Sequence, residues 1–129
     1  MCFEKLASAD FCVLPKKPSG SQRLPATISS GRALDWSGNA VDAGHYRSTG
    51  AASHLRFNED NCHAQSKHDN QYKAGNVVDY RINLVRRIGL ARVEALEADS
   101  TVRKWGRDEL IAIRATYAEK LKSLKGCAP

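Results

Sequence analysis

The sequence has no long hydrophobic run and no closely spaced pair of cysteines. No apolar stretch approaches the ~20 residues of a membrane-spanning helix, and Glu4 and Asp10 fall where a secretory signal needs unbroken apolar sequence. We therefore expect neither a membrane protein nor a secreted one. The four cysteines are widely separated, at Cys2, Cys12, Cys62 and Cys127. This spacing indicates free thiols in a cytoplasmic protein rather than a disulfide framework.

Positive charge is concentrated in the second half of the chain. The 129 residues suggest a single domain, and 20 Lys and Arg against 14 Asp and Glu give a formal charge of +6. Residues 61–129 carry 13 basic and 8 acidic side chains, whereas residues 1–60 carry 7 and 6. A surplus of this size favours a polyanionic partner such as nucleic acid, bound mainly by the second half.

The pattern along the chain predicts an α+β protein with three parts. Residues 1–26 are irregular because prolines and serines interrupt any periodicity. Residues 27–75 predict a small module of short strands and turns ending in a polar segment. Residues 76–126 predict two to three helices packed on that module in one compact domain, with Gly89 ending the first of them. We expect the apolar stripe of this first helix to comprise Val77, Val78, Ile82, Leu84, Val85 and Ile88.

Imidazole, amide and carboxylate side chains gather between the predicted strands and helices. His45 is followed by Asn61, His63, Asp69 and Asn70, the last four within ten residues. Cleavage of a phosphodiester needs a base for water, and a neutral imidazole serves near pH 7. Carboxamides can orient that imidazole or ligate a divalent cation through oxygen. The alternative roles are ordinary ones, such as Asn70 capping the helix that follows.

The order His45, Asn61, Asn70 resembles the HNH, or ββα-metal, nuclease pattern. By that resemblance His45 ends the first strand as the general base, and Asn61 holds the loop that orients it. Asn70 opens the following helix as a ligand of Mg²⁺ or Mn²⁺. HNH motifs place an aspartate directly before the histidine, where this chain has Gly44, so Asp42 is the nearest carboxylate that could substitute.

His63 is a further candidate metal ligand, with DNA contact or a purely structural role as the alternatives. The candidate phosphate contacts are the basic side chains near these residues. They are Arg47, Arg56, Lys67, Lys73, Arg81, Arg86 and Arg87. Arginine binds phosphate well because its planar guanidinium presents several hydrogen-bond donors. The alternative is that these basic side chains form a solvated helix face.

Longer motifs are similar to those of the phage NinG (Rap) recombination proteins. They are GHYRS, LRFNEDNCH and GNVVDYRINL, within a match from about Gly31 to Leu124. The resemblance implies a structure-specific endonuclease that hydrolyses phosphodiesters of branched DNA, a Holliday junction or D-loop, with a divalent cation. It also implies a phage or prophage protein in the cytoplasm of the bacterial host. A homodimer and contacts with other phage recombination proteins stay open.

One departure from that family concerns structural zinc. NinG proteins carry two C-x-x-C knuckles that bind zinc, and this chain has Thr27-Ile28-Ser29-Ser30 and Ser66-Lys67-His68-Asp69 there. Neutral hydroxyls are poor zinc ligands, so we expect no structural zinc. The chain is then a zinc-free form held by packing, or a decayed or engineered copy. The alternative functions are a catalytically impaired protein that binds branched DNA, and an interaction module built on the C-terminal helices.

Overall fold

A computed structural model describes residues 26–33 and 40–126, so the expectation for residues 1–26 lies outside the described residues except at Ala26. The architecture is α+β, as the sequence predicts: an antiparallel hairpin is followed by four helices. The strands are β1 (Val41–His45) and β2 (Cys62–Ser66). The helices are α1 (Lys67–Tyr72), α2 (Val77–Ile88), α3 (Leu90–Ala98) and α4 (Arg107–Gly126).

The hairpin register decides which side chains share a face. Val41 lies opposite Ser66, Gly44 opposite His63, and His45 opposite Cys62. Because successive side chains alternate between faces, residues 42 and 44 share a face with residues 63 and 65, and His45 projects from the other. The free edge of β2 is covered by residues 26–33, since the Ile28 amide donates to the Ala64 carbonyl at 2.9 Å.

Gly44 sits where a side chain would collide with the opposite strand. A Cβ built on Gly44 would lie 2.0 Å from Oε1 and 2.7 Å from Cβ of Gln65, whose side chain crosses over the glycine. Contacts under 3.0 Å require something to shift, and Gln65 is fully buried. The motif departure noted at position 44 therefore has a steric cause: no aspartate fits here.

We expect Gly44→Ala to lower the free energy of unfolding by about 2 kcal/mol, because a methyl group is forced into a filled space. Urea denaturation followed by circular dichroism measures the change. Gly50→Ala is the matched control, since a Cβ there meets nothing within 4 Å, and it should be neutral or slightly stabilising. Equal denaturation midpoints for the two variants would contradict the steric argument.

The core lies where α2 and α3 pack beside the hairpin. Its buried members are Ile28, Ala52, Leu55, Tyr80, Leu84, Val93 and Leu96. Gly89, at φ 91°, separates α2 from α3, as predicted. The predicted stripe of α2 is only partly right, because Val78 is 73% and Ile82 46% exposed. At 100° per residue, Val78 and Ile82 lie about 160° around the helix axis from Tyr80 and Leu84, which face the core.

Helix α4 is held near its start and on one side. The Trp105 indole donates to the Ser53 carbonyl at 2.7 Å and meets the Phe57 ring edge to face. Further along, the Tyr117 hydroxyl donates to Glu59 at 3.0 Å. Within residues 26–33 and 40–126, no helix is both long and apolar enough to cross a membrane.

Candidate functional site

His45 occupies the last position of β1, and its ring is oriented by a backbone carbonyl. The Nε2 atom lies 3.0 Å from the carbonyl oxygen of Arg56, in the loop that connects the strands. A carbonyl oxygen can only accept, so Nε2 carries the hydrogen. The lone pair of the neutral ring is therefore on Nδ1. This is the tautomer needed for Nδ1 to act as a proton acceptor.

Asn61 holds the loop that carries this carbonyl. It is fully buried, and its Oδ1 accepts from the Arg47 amide at 2.8 Å. Its Nδ2 donates to the carbonyl oxygens of Arg47 at 3.0 Å and of Leu55 at 3.2 Å. One side chain thus ties the residues just after β1 to the turn immediately before Arg56. The position of the His45 ring depends on that tie.

Asp42 and Asn70 are brought together by the fold. Helix α1 begins directly after β2, because Ser66 caps it by accepting from the Asp69 amide at 3.1 Å. The predictions that Asn70 opens or caps this helix were wrong, because Ser66 is the cap and Asn70 lies inside α1. The helix folds back over β1, where Asn70 Nδ2 donates to Asp42 Oδ2 at 3.2 Å. Asp42 is two residues from Gly44 and so lies on the same strand face. Its carboxylate is on the face where an aspartate directly before His45 would project.

His63 is also on this face but makes different contacts. Its Nδ1 lies 3.4 Å from the Tyr80 hydroxyl, which donates to the Gly44 carbonyl at 2.7 Å. Burial, with the nearby charge of Arg87, lowers the pKa of His63 to about 4. The ring is neutral near pH 7. Within the described part of the chain, no hydrogen bond or ion pair joins His63 to the Asp42–Asn70 pair.

Gln65 is a residue that sequence reasoning missed. It is fully buried directly opposite Asp42, and its Nε2 donates to Ser29 Oγ at 3.1 Å. Its Oε1 is buried with no hydrogen-bond partner, which is rare for an interior acceptor. Gln65 could have been identified as a neighbour of Asp42 only if the pairing register of the two strands had been known.

The donor chemistry of this face fits a hard divalent cation. Asp42 offers carboxylate oxygens, Asn70 an amide oxygen if its side chain turns over, and Gln65 a carbonyl oxygen that has no partner. Mg²⁺ prefers oxygen ligands and is often held by one or two carboxylates, water and substrate phosphates. Among the described residues, no three His, Cys, Asp or Glu side chains are placed to hold a metal. A cation here would depend on substrate and water for its other ligands.

Asp69 is a second buried polar centre, on the far side of α1 from solvent. Its side chain is 2% exposed. Burial opposes the charge, but hydrogen bonds from Ser29, Ser66, Lys73 and Ser30 outweigh it and lower the pKa of Asp69 to about 2. The carboxylate is therefore ionised at neutral pH. Its partners are structural, and none of them belongs to the face that carries Asp42.

Two of the arginines predicted to contact DNA form hydrogen bonds with other parts of the protein. Arg47 Nη1 donates to the carbonyl oxygen of Leu96 at 2.9 Å and also to that of Asp99. These are carbonyls at the end of α3, where a cation is favourable. Arg81 forms a paired contact with Glu97, at 2.7 and 3.2 Å. Both guanidinium groups join α3 to its surroundings.

The other predicted phosphate contacts lie nearer to solvent. Arg86 and Arg87 are exposed on α2, and Lys73 is exposed while pairing with Asp69 at 3.2 Å. Lys67 is half-buried at the start of α1. Arg56 is half-buried over the ring of the phenylalanine that follows it.

Comparison with known proteins identifies relatives of one kind. A family model described as Bacteriophage Lambda NinG protein matches residues 22–126. "Protein ninG" of Salmonella phage P22 is 50% identical over 84 residues, covering 65% of this chain and 41% of the relative. "Protein ninG" of Escherichia phage lambda is 49% identical over 84 residues, with the same coverage. The chain thus spans about two fifths of the length of the curated relatives it matches. No solved structure matches it.

Proposed function

We propose, because the chain belongs to the NinG family of bacteriophage proteins, that it is a metal-dependent endonuclease acting on branched DNA. The observation that carries the proposal is the orientation of His45. Its ring is fixed by the Arg56 carbonyl, in a loop held by the buried amide of Asn61. A histidine held in one tautomer by a backbone carbonyl is prepared for proton transfer.

In this proposal His45 Nδ1 takes a proton from the water that attacks phosphorus. Asn61 acts through the loop and does not touch substrate, so it is a positioning residue. Asp42 and Asn70 would hold a divalent cation on the hairpin face opposite to the one from which His45 projects, so the scissile phosphate would have to lie at the edge of β1 to meet both. When bound, such a cation stabilises negative charge on the phosphate and on the leaving 3′ oxygen. The oxygen donors on this face suit Mg²⁺ or Mn²⁺.

Branched DNA is proposed as the substrate class because the positive charge is joined to the resemblance to NinG recombination proteins. The formal charge of +6 favours a polyanion, and exposed Arg86 and Arg87 on α2 can contact phosphates. Such contacts give affinity that is independent of sequence and falls steeply with salt. A branched substrate bound mainly by its backbone is consistent with this surface.

The second candidate is a protein that binds branched DNA without cleaving it. The observation that favours it is the sparse ligand set, because Asp42 Oδ2 already accepts from the side-chain amides of Asn70, at 3.2 Å, and Gln71, at 3.5 Å. A weakly held cation gives little or no hydrolysis even where DNA binding is intact.

Cleavage of a synthetic four-way junction distinguishes the two candidates. We expect the chain to cut the junction in the presence of Mg²⁺ or Mn²⁺, and we expect cleavage to stop when EDTA is added. Asp42→Asn should raise the Mg²⁺ concentration needed for half-maximal cleavage by roughly 10-fold or more, since a ligand charge is lost. The measurement is strand scission on denaturing gels with end-labelled junctions.

Asp108→Asn is the control, because it makes the same charge change at an exposed position on α4. It should leave the Mg²⁺ dependence unaltered. If the chain binds the junction but cuts it in neither cation, the nuclease proposal is wrong and the second candidate, a DNA-binding protein, is supported. Failure both to bind and to cut would remove both candidates.

A further inference from the structure

Two pairs of positions, distant from each other in the sequence, are brought together at the buried carboxylate of Asp69, which accepts hydrogen bonds from Ser29 and Ser30. They are Thr27, Ser30, Ser66 and Asp69, the positions at which the NinG resemblance implies zinc-binding cysteines. Thr27 Oγ1 and Ser30 Oγ lie 2.8 Å apart, and Ser66 Oγ accepts from the Asp69 amide at 3.1 Å. Ser29 completes the group by donating to Asp69 Oδ2 at 3.0 Å. We call these five residues the polar clasp.

The donors of the polar clasp do not fit a structural zinc ion. Such sites are closed tetrahedra of thiolate and imidazole ligands, whereas this group offers neutral hydroxyls and one carboxylate. That carboxylate accepts from Ser29, and the Lys73 ammonium lies 3.2 Å from its other oxygen. A cation would have to displace Lys73 and then accept three weak ligands.

The clasp joins residues 26–33 to the end of β2 and to α1. Residues 26–33 bring Ile28, which is 1% exposed, into the core. This segment is also held by the bond from the Ile28 amide to Ala64 and by Gln65 Nε2, which donates to Ser29 Oγ at 3.1 Å. Asn83 Nδ2 and Arg87 Nη2 donate to the carbonyls of Ser29, at 3.4 Å, and Ala26, at 3.3 Å. Asp69 is on α1, so its contact with Ser29 links the segment directly to the helix that carries Asn70.

We propose that the polar clasp does the structural work of a metal centre in this chain, so that folding requires no metal ion. Hydrogen bonds to an ionised, buried carboxylate are stronger than those between neutral groups. They hold the 26–33 segment, the end of β2 and α1 in one arrangement. Folding without a metal ion does not depend on whether the chain has the proposed nuclease activity.

The first test compares thermal unfolding with and without EDTA, followed by circular dichroism, together with metal analysis of the purified protein. We expect a cooperative transition whose midpoint EDTA leaves unchanged. Asp69→Asn should lower that midpoint by roughly 10 °C, since it weakens the contacts from Ser29 and Lys73. Asp79→Asn, an exposed aspartate on α2, should lower it far less. Unfolding by EDTA, or stoichiometric zinc in the purified protein, would overturn the proposal.

The second test asks whether the clasp positions have the geometry of a metal site. One variant carries four substitutions: Thr27→Cys, Ser30→Cys, Ser66→Cys and Asp69→Cys. We expect it to bind one Co²⁺ with the visible absorption of tetrahedral thiolate coordination, and to fold only when metal is present. A variant that gives no such spectrum, folded or unfolded, would show that the four positions do not converge on one point.

Discussion

Replacing His45 with alanine should lower the rate of junction cleavage by roughly 10²- to 10⁴-fold, the range for loss of a general base. Its Nε2 is held by the Arg56 carbonyl, so in the proposed mechanism Nδ1 is the atom that accepts the proton. Junction affinity should stay within about twofold, because the charge that binds DNA lies on other residues. Single-turnover cleavage in saturating Mg²⁺, with a gel-shift measurement beside it, separates the two effects.

His68→Ala is the matched control for this variant, since the His68 side chain is 60% exposed on α1. It should cleave at close to the wild-type rate. If His45→Ala and His68→Ala cleave equally fast, His45 is not the base and the proposed mechanism is wrong.

Replacing Asn61 with alanine should have the largest effect on stability, a loss of about 3 kcal/mol or more. The substitution leaves the amide and carbonyl of Arg47 and the carbonyl of Leu55 without their partner. Each buried group left unsatisfied costs roughly 1–3 kcal/mol. Urea denaturation measures the loss.

Asn58→Ala removes an amide from the same loop and is the control. Asn58 is exposed, and its Oδ1 accepts only from the Asp60 amide, at 2.8 Å. We expect this variant to lose less than about 1 kcal/mol. A midpoint for Asn61→Ala no lower than that of Asn58→Ala would mean that the loop does not depend on Asn61.

The elements of the fold were predictable from the sequence because their signals are local. The helical stretch after Asn76 and the break at Gly89 follow from turn residues and periodicity, whereas the place of His45 at the end of a strand came from the resemblance to HNH nucleases. The buried face of α2 was not predictable in the same way. Apolar residues occur on two sides of that helix, and only tertiary packing selects Tyr80 over Val78.

The candidate site was partly predictable for a similar reason. The order of His45, Asn61 and Asn70 along the chain identifies the segment, but the partners of each side chain depend on register. Gln65 could not be found without knowing that it lies across from Asp42. An arginine's charge likewise does not reveal its partner, and the sequence gives no sign that Arg47 meets the end of α3.

The guanidinium of Arg47 has a mechanical consequence for the molecule. This guanidinium donates to the Leu96 carbonyl in the last turn of α3. The preceding residue, Tyr46, donates its hydroxyl to Glu97 of the same helix at 2.5 Å. The residues that leave the hairpin are therefore fastened to the end of α3 at two adjacent points. We expect fraying of that helix end to loosen the loop that carries the Arg56 carbonyl, so that a substitution in α3 would disturb the orientation of the His45 ring.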